Sequence, residues 1–313
     1  MKWISGLVFF ISIASYPQET KFILKKGKGF NEEYYVSVTD HKTKNGTYVK
    51  YKNDFSGISL LEVGNYRDGK KDGLWEFYYD VSNTILRTKN RSNSLKERGH
   101  FVSDKKNGVW VSYYLDTIPN KIFAQKYGQK KKMDSVSIYV DQNDLRTRLA
   151  GQFLNDKKVG EWVSFDYAGK IYQRYNFTNS TLILDKSISD SLTYNRDRTP
   201  LYIGGLPCLI DDLAHGFNFR PIAESMKKDS STVIVSLLIT KDGKIGEIDI
   251  FQSNAPSSME KEVVRLITLL GNNWIPALGD SNFITSNYKI GFDIIRKKSE
   301  NVSSFQVSYR VIK

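Results

Sequence analysis

The chain has 313 residues and carries 46 Lys and Arg against 34 Asp and Glu, a net charge of +12. That length is ample for two cores, and 19 Tyr and 17 Phe against 7 Pro describe a β-rich globular protein, which excludes a long disordered spacer. One cysteine excludes an intrachain disulfide, and with only 3 histidines little is left from which to build a metal or nucleophilic centre.

The first residues carry the pattern of an export signal over 1–15. Lys2 gives the positive start, Trp3 to Ala14 the apolar run, and Ala14-Ser15 small residues near a cleavage point. The alternative is a buried first strand. The run falls short of the roughly 20 apolar residues a spanning helix needs, and the single Cys208 lies far downstream, so no lipid-bearing cysteine follows the signal. The positive charge is uneven: Pro200 to Lys297 holds 10 basic against 11 acidic residues and the tail from Lys298 holds 3 against 1, so +11 of the excess belongs to the first 199 residues.

Residues 22–180 repeat one grammar. Gly64-Asn-Tyr66, Gly99-His-Phe101 and Gly151-Gln-Phe153 each lead, nine residues on, to a second glycine: Gly73, Gly108 and Gly160. Two residues past each second glycine stands a tryptophan (Trp75, Trp110, Trp162), and five past stands Tyr78, Tyr113 or Phe165. Weaker copies surround Asn45-Gly46-Thr47-Tyr48 and Tyr127–Tyr139, so the anchors 46, 73, 108, 134 and 160 step by 27, 35, 26 and 26 residues, with an insertion expected at Ser82–Lys96. Such fixed offsets predict stacked β-hairpins, each too small to bury its own tryptophan. Strict alternation places Trp75 and Tyr78 on opposite faces, so either both faces are covered or a bulge intervenes. This grammar resembles the MORN-type repeat, in the variant of the bacterial YwqK antitoxin family, over about Thr39 to Asn179. The resemblance implies an elongated antiparallel sheet of hairpins used for binding, with no reaction chemistry of its own.

A lysine pair precedes each second glycine: Lys70-Lys71, Lys105-Lys106 and Lys157-Lys158. Stacking would align these into a basic ridge for anionic lipid or glycan. The competing reading is that turn-tip lysines keep repeats soluble and blunt sheet edges. Nucleic acid is not an expected partner, because export removes the chain from it and the aromatics already have a structural use.

After a polar linker, 181–199, the pattern changes to a small α+β layer over 200–297. Thr232–Thr240 is an apolar strand, Asp242-Gly243 predicts a type I′ turn, and Ile245–Phe251 returns with Ile248 and Ile250 on one face. Ser257-x-x-Glu260 predicts a capping box, followed by a helix with Met259, Val263, Leu266, Ile267 and Leu270 on one stripe and a stop at Gly271. Ile284, Tyr288, Ile290, Phe292 and Ile294 share a strand face, and the tail 298–313 alternates as an extra strand over Phe305–Ile312, where it would occupy an edge. In order, Pro200-Leu-Tyr-Ile-Gly-Gly205, Phe217-Asn-Phe-Arg-Pro221, the Asp-Gly-Lys hairpin, the helix and Trp274-x-Pro276 resemble the TonB C-terminal domain. That resemblance implies a periplasmic module that pairs a partner's extended peptide to a sheet edge, with Phe219, Arg220, Pro221, Trp274 and Tyr288 as the partner-binding positions. Arg220-Pro221 replaces the usual Tyr-Pro, and neither a spanning helix nor a Pro-rich spacer accompanies the module, so energy transduction is not expected.

No catalytic, cofactor or metal residues are expected. His41, His100 and His215 are isolated, Cys208 sits among Leu206, Leu209 and Ile210 as a buried small residue, and Asp211-Asp212 reads as the exposed face of a short helix. The expectation is a non-enzymatic binding or scaffold protein of a Gram-negative-type envelope or periplasm. Its partner is an envelope protein or peptide, the alternative an anionic surface. A hydrolase has no residues to support it.

Overall fold

A computed structural model describes residues 19–54, 57–80, 95–115, 146–189, 194–218, 226, 228–298 and 303–312. The expected export segment, the repeat copy at 127–139 and most of the expected insertion lie outside them. The fold is mainly β. Eleven strands form one long antiparallel sheet in chain order: β1 (Thr20–Lys26), β2 (Asn31–Ser37), β3 (Lys44–Asp54), β4 (Gly57–Arg67), β5 (Lys70–Tyr78), β6 (Leu95–Val102), β7 (Lys105–Tyr113), β8 (Thr147–Leu154), β9 (Lys157–Phe165), β10 (Ile171–Asn176) and β11 (Thr181–Asp185). The chain divides into two compact units, Met1–Asn107 with Thr117–Val140, and Gly108–Asp116 with Asp141–Lys313.

In the first unit, β4 and β5 turn through Asp68 and Gly69, whose φ angles are 50° and 77°. Ser103 and Asp104 adopt 50° and 68°. Two consecutive positive φ values make type I′ turns, whose twist matches that of the strands they join. Each turn is tied to the repeat before it: the Gly69 N–H donates to the Lys44 carbonyl at 2.9 Å, and the Asp104 N–H to that of Lys71 at 2.9 Å. The degenerate first copy belongs to the series. Gly46 has positive φ, and Tyr48, 3% exposed, takes the tryptophan place and packs 5.6 Å from Trp75.

The two glycines of each repeat serve different ends. Gly73 sits at φ 74° with open space around it, so backbone conformation requires it. Gly64 has ordinary φ but lies flat beneath Trp75, where a methyl group would overlap the indole. Trp75 then donates its indole N–H to the Asn65 carbonyl at 3.0 Å and is fully buried. The second unit reproduces this: Trp162 covers Gly151 and donates to the Gln152 carbonyl at 3.1 Å. Alternation holds along β5: Trp75 stacks with Phe77 on one face and Tyr78 bonds Glu76 at 2.8 Å on the other, so both faces are covered, and Trp75, Tyr78, Trp110 and Tyr113 are all buried.

The second unit continues through β12 (Leu201–Tyr202), α1 (Gly205–Gly216), β13 (Ser230–Ile239), β14 (Ile245–Ser253), α2 (Ser257–Leu270), β15 (Trp274–Ile275), β16 (Ala277–Gly279), β17 (Asn282–Ile284), β18 (Ser286–Lys298) and β19 (Ser303–Ile312). A four-stranded antiparallel sheet, ordered β14-β13-β18-β19, shares one core with both helices through Leu209, Leu213, Val235, Leu237, Leu266 and Phe292. The tail is thus a strand, paired from Lys289↔Ile312 to Lys298↔Ser303.

Several local expectations are corrected. The segment 181–199 begins with a sheet strand, and its Leu182 and Tyr194 are buried with Tyr175, Leu201 and Ile275. Asn195 closes that strand's edge: its side-chain amide accepts from the Leu182 N–H and donates to the Leu182 carbonyl, both at 3.1 Å. Among the two residues of Asp242-Gly243 only Gly243 has positive φ, 71°, and its N–H bonds the Thr240 carbonyl, so the loop has three residues and ends in a left-handed glycine. The α2 N-cap is Pro256 with no side-chain cap, so the capping box does not form. Ile284 leaves the β18 face for β17, where it is 42% exposed.

Gly64→Ala and Gly151→Ala should each cost about 1–3 kcal/mol or more, since the indole has to move. Gly73→Asn, which still reaches the left-handed region, should cost less than about 1 kcal/mol. Equilibrium urea unfolding of the three variants checks the contrast.

Candidate functional site

In the first unit the aromatic rings form a row on one sheet face. Tyr48 meets Tyr66 at 5.3 Å, Tyr66 meets Trp75 at 5.2 Å, and Trp75 meets Phe77 and Phe101 at 6.0 Å each. In the second unit Trp110, Phe153, Trp162 and Phe177 continue the pattern at 6.0, 5.0 and 6.0 Å. Neighbouring residues of a strand face opposite ways, so the two lysines of a pair separate. Lys71 folds over Trp75 at 4.1 Å and Phe77 at 4.9 Å and pairs with Glu62 at 3.4 Å. Lys158 covers Trp162 at 5.5 Å, and Lys106 pairs with Glu97 at 3.1 Å. Lys70, Lys105 and Lys157 are exposed at the strand starts. Of the six lysines expected in a basic ridge, three are therefore committed to the aromatic row or to a carboxylate.

Lys44 completes the series. It stands two residues before Gly46, as Lys71 stands before Gly73, and its ammonium lies 4.5 Å from the Tyr34 and Tyr48 rings and 5.0 Å from Tyr66. Burial among these rings lowers its pKa from the usual lysine value, more than the nearby Glu32 raises it. Its place at a constant offset from the anchor glycine is the sequence signal for this role.

Of the partner-binding positions inferred for the C-terminal part, Phe219, Arg220 and Pro221 lie outside the described residues. Trp274 and Tyr288 are 3% and 8% exposed, pack together at 4.9 Å and belong to the core, so they offer no ring face to a partner. The sheet instead presents its outer strands. β19 covers β18, and Tyr309 of that tail packs on Phe292 at 5.6 Å. β14 pairs with β13 alone among the described strands. It exposes Glu247, Asp249, Ile250 and Phe251; Phe251 is 60% exposed, with Lys289 3.7 Å above its ring.

The polar residues of α1 meet the end of the repeat sheet. Asp211 is buried, contrary to the exposed-face expectation, because Arg148 of β8 reaches it at 3.2 Å and also donates to Asp212 and, at 2.9 Å, to the Cys208 carbonyl. Tyr202 donates to Asp212 at 2.7 Å. A buried pair of this kind, broken from one side, typically costs about 3–5 kcal/mol. Burial pushes the Cys208 thiol up to about 11, which leaves it protonated and unreactive at neutral pH. Gln173 completes the joint: it donates to Asp185 at 2.7 Å and the Tyr202 carbonyl at 3.0 Å and accepts from the Gly204 N–H at 2.7 Å. Among the described residues no cluster of three or more His, Cys, Asp or Glu could hold a metal ion, and no helix is long and apolar enough to cross a membrane.

Comparison with family models, with curated proteins and with solved structures gives no match to this chain.

Lys71→Ala should destabilise by about 1–2 kcal/mol through loss of its partly desolvated ring contacts, while Lys70→Ala stays within about 0.5 kcal/mol; paired urea melts decide. His215 gives a second test. Its burial disfavours charge, but bonds to the Asp211 carboxylate at 3.2 Å and carbonyl at 2.8 Å outweigh this and raise its pKa above the usual 6.5. The stabilisation is then full below that ordinary value and is lost as pH rises through the raised folded one. His215→Gln should flatten this decline above the ordinary histidine range in unfolding free energies.

Proposed function

We propose that this is a non-enzymatic binding and scaffold protein of a bacterial cell envelope, in which the TonB-like C-terminal layer holds an extended segment of a partner protein along a sheet edge. The observation that carries this reading is β14, a nine-residue strand at the outside of the sheet, open among the described residues and bearing Ile250 and Phe251 at 36% and 60% exposure. An extended peptide added there would complete the backbone ladder of β14 and cover those side chains. β19 already occupies the far side of β18, so the sheet's two outer strands are β14 and β19, and of these β14 presents the more exposed apolar side chain, Phe251. The MORN-like repeats act as a scaffold, because their rings and half of their paired lysines are spent on their own packing. The apolar segment Trp3 to Ala14 is what places the protein in the envelope in this reading. No energy coupling is assigned to it.

A photo-crosslinking side chain placed at Gln252 of β14 in the full chain, in cells, should give discrete protein adducts after fractionation. The same group at Gln306 of β19 should give few. Absence of adducts at Gln252 overturns the reading. Salt-sensitive binding to anionic vesicles that disappears in the triple variant Lys70→Glu, Lys105→Glu, Lys157→Glu would replace it with the anionic-surface alternative.

A further inference from the structure

The repeat sheet has an open strand of its own. β1 pairs with β2 alone among the described strands, and it exposes Phe22 and Leu24 at 49% and 47%. Lys21, Lys25 and Lys26 of β1 are also exposed. Sheet edges are normally blunted by charge, and the lysines do part of this, yet the two large apolar side chains leave the edge adhesive.

β1 and β14 carry opposite charge between similar apolar residues. β1 reads Thr20-Lys-Phe-Ile-Leu-Lys-Lys26, and β14 reads Ile245-Gly-Glu-Ile-Asp-Ile-Phe-Gln-Ser253. Among the described residues no hydrogen bond or ion pair engages the Glu247 or Asp249 carboxylate, while their strand lies in the β13–β14 ladder. Antiparallel alignment of the two strands with Lys25 opposite Glu247 puts Leu24 opposite Ile248, Ile23 opposite Asp249, Phe22 opposite Ile250 and Lys21 opposite Phe251. Lys21 is then also the diagonal neighbour of Asp249. Over Ile248–Ile250 the apolar pairs fall on one face and Asp249, with Lys21 as its diagonal neighbour, on the other; bulges at Phe251 and at Gly246–Glu247 bound this stretch of β14.

Self-pairing of like edges is poorer. Two β1 strands centred on Ile23 set Lys21 against Lys25, and two β14 strands centred on Asp249 set that carboxylate against its own copy. Electrostatics therefore selects the unlike pair. We propose that β1 of one molecule docks on the β14 edge of a second copy of this chain, giving head-to-tail oligomers through a heterologous interface. This rests on the reading of β14 as the binding edge given above, and it names a second molecule of the same protein as the occupant of that edge.

The test uses the purified full chain in sedimentation velocity over a concentration series, with two charge-reversed variants. One carries Lys21→Glu and Lys25→Glu, so that both of its edges are acidic. The other carries Glu247→Lys and Asp249→Lys, so that both are basic. Wild type should assemble with rising concentration and less at high salt, and each variant alone should associate at least about tenfold more weakly. An equimolar mixture should recover assembly, because each variant's β1 then faces a complementary β14. Unfolding midpoints close to wild type show that the variants are folded.

A wild type that stays monomeric throughout overturns the proposal, as does assembly that survives in either variant alone or fails to return in the mixture. A foreign envelope protein crosslinked at Gln252 while the purified chain is monomeric would leave the edge-binding reading standing and sink only the self-assembly.

Discussion

The repeat half of this protein depends on an indole lying flat on a glycine. A single β-hairpin cannot bury a tryptophan on its own, and here the ring is sheltered against the backbone of the neighbouring strand. Removing the Cβ at Gly64 and Gly151 lets Trp75 and Trp162 lie against the backbone, and the carbonyl of the next residue takes the indole N–H. The remaining ring surface is closed by the lysine two residues before the second glycine, as with Lys71 over Trp75. The first glycine, the lysine, the second glycine and the tryptophan are therefore parts of one device, and their spacing cannot drift without breaking it.

The second unit solves a different problem. There the last repeat strands share buried apolar contacts with Leu201 of β12 and Ile275 of β15, and the joint to α1 is polar. Arg148 from β8 bridges two carboxylates of α1, while Gln173 from β10 uses its whole amide on Asp185, the Tyr202 carbonyl and the Gly204 N–H. A buried polar joint of this kind adds little net stability over an apolar one but tolerates only one docking geometry. A binding surface at β14 inherits that fixed geometry, since its strand belongs to the same core.

The hairpins, their anchor glycines and the α2 stripe were legible in the sequence because each is written in local spacing. Even the two-sidedness of a lysine pair follows from strand alternation, although reading the pair as a ridge overlooks it. What sequence could not disclose depends on residues distant in the chain. Asp211 looks like a solvated carboxylate until Arg148 is brought beside it. Asp242-Gly243 has the composition of a two-residue turn, yet Gly243 packs against the Trp274 carbonyl and the loop takes a third residue. Leu182–Leu184 is one short apolar patch in a polar stretch, and only the neighbouring sheet shows it as part of a strand. The candidate edge was half legible: the alternation of the tail suggested that it would cover a strand, and which strand remained outside is a matter of sheet order.

The Asn195 amide carries an implication for how such a chain can change over generations. By imitating a neighbouring strand at Leu182, it terminates the ladder chemically, with the carboxamide answering the very groups a further hairpin would need. Units appended after β11 would find no register to join. Duplication or loss of repeats is thus confined to the interior of the array or to its amino-terminal side, and copy number can evolve while the joint to the C-terminal layer stays as it is.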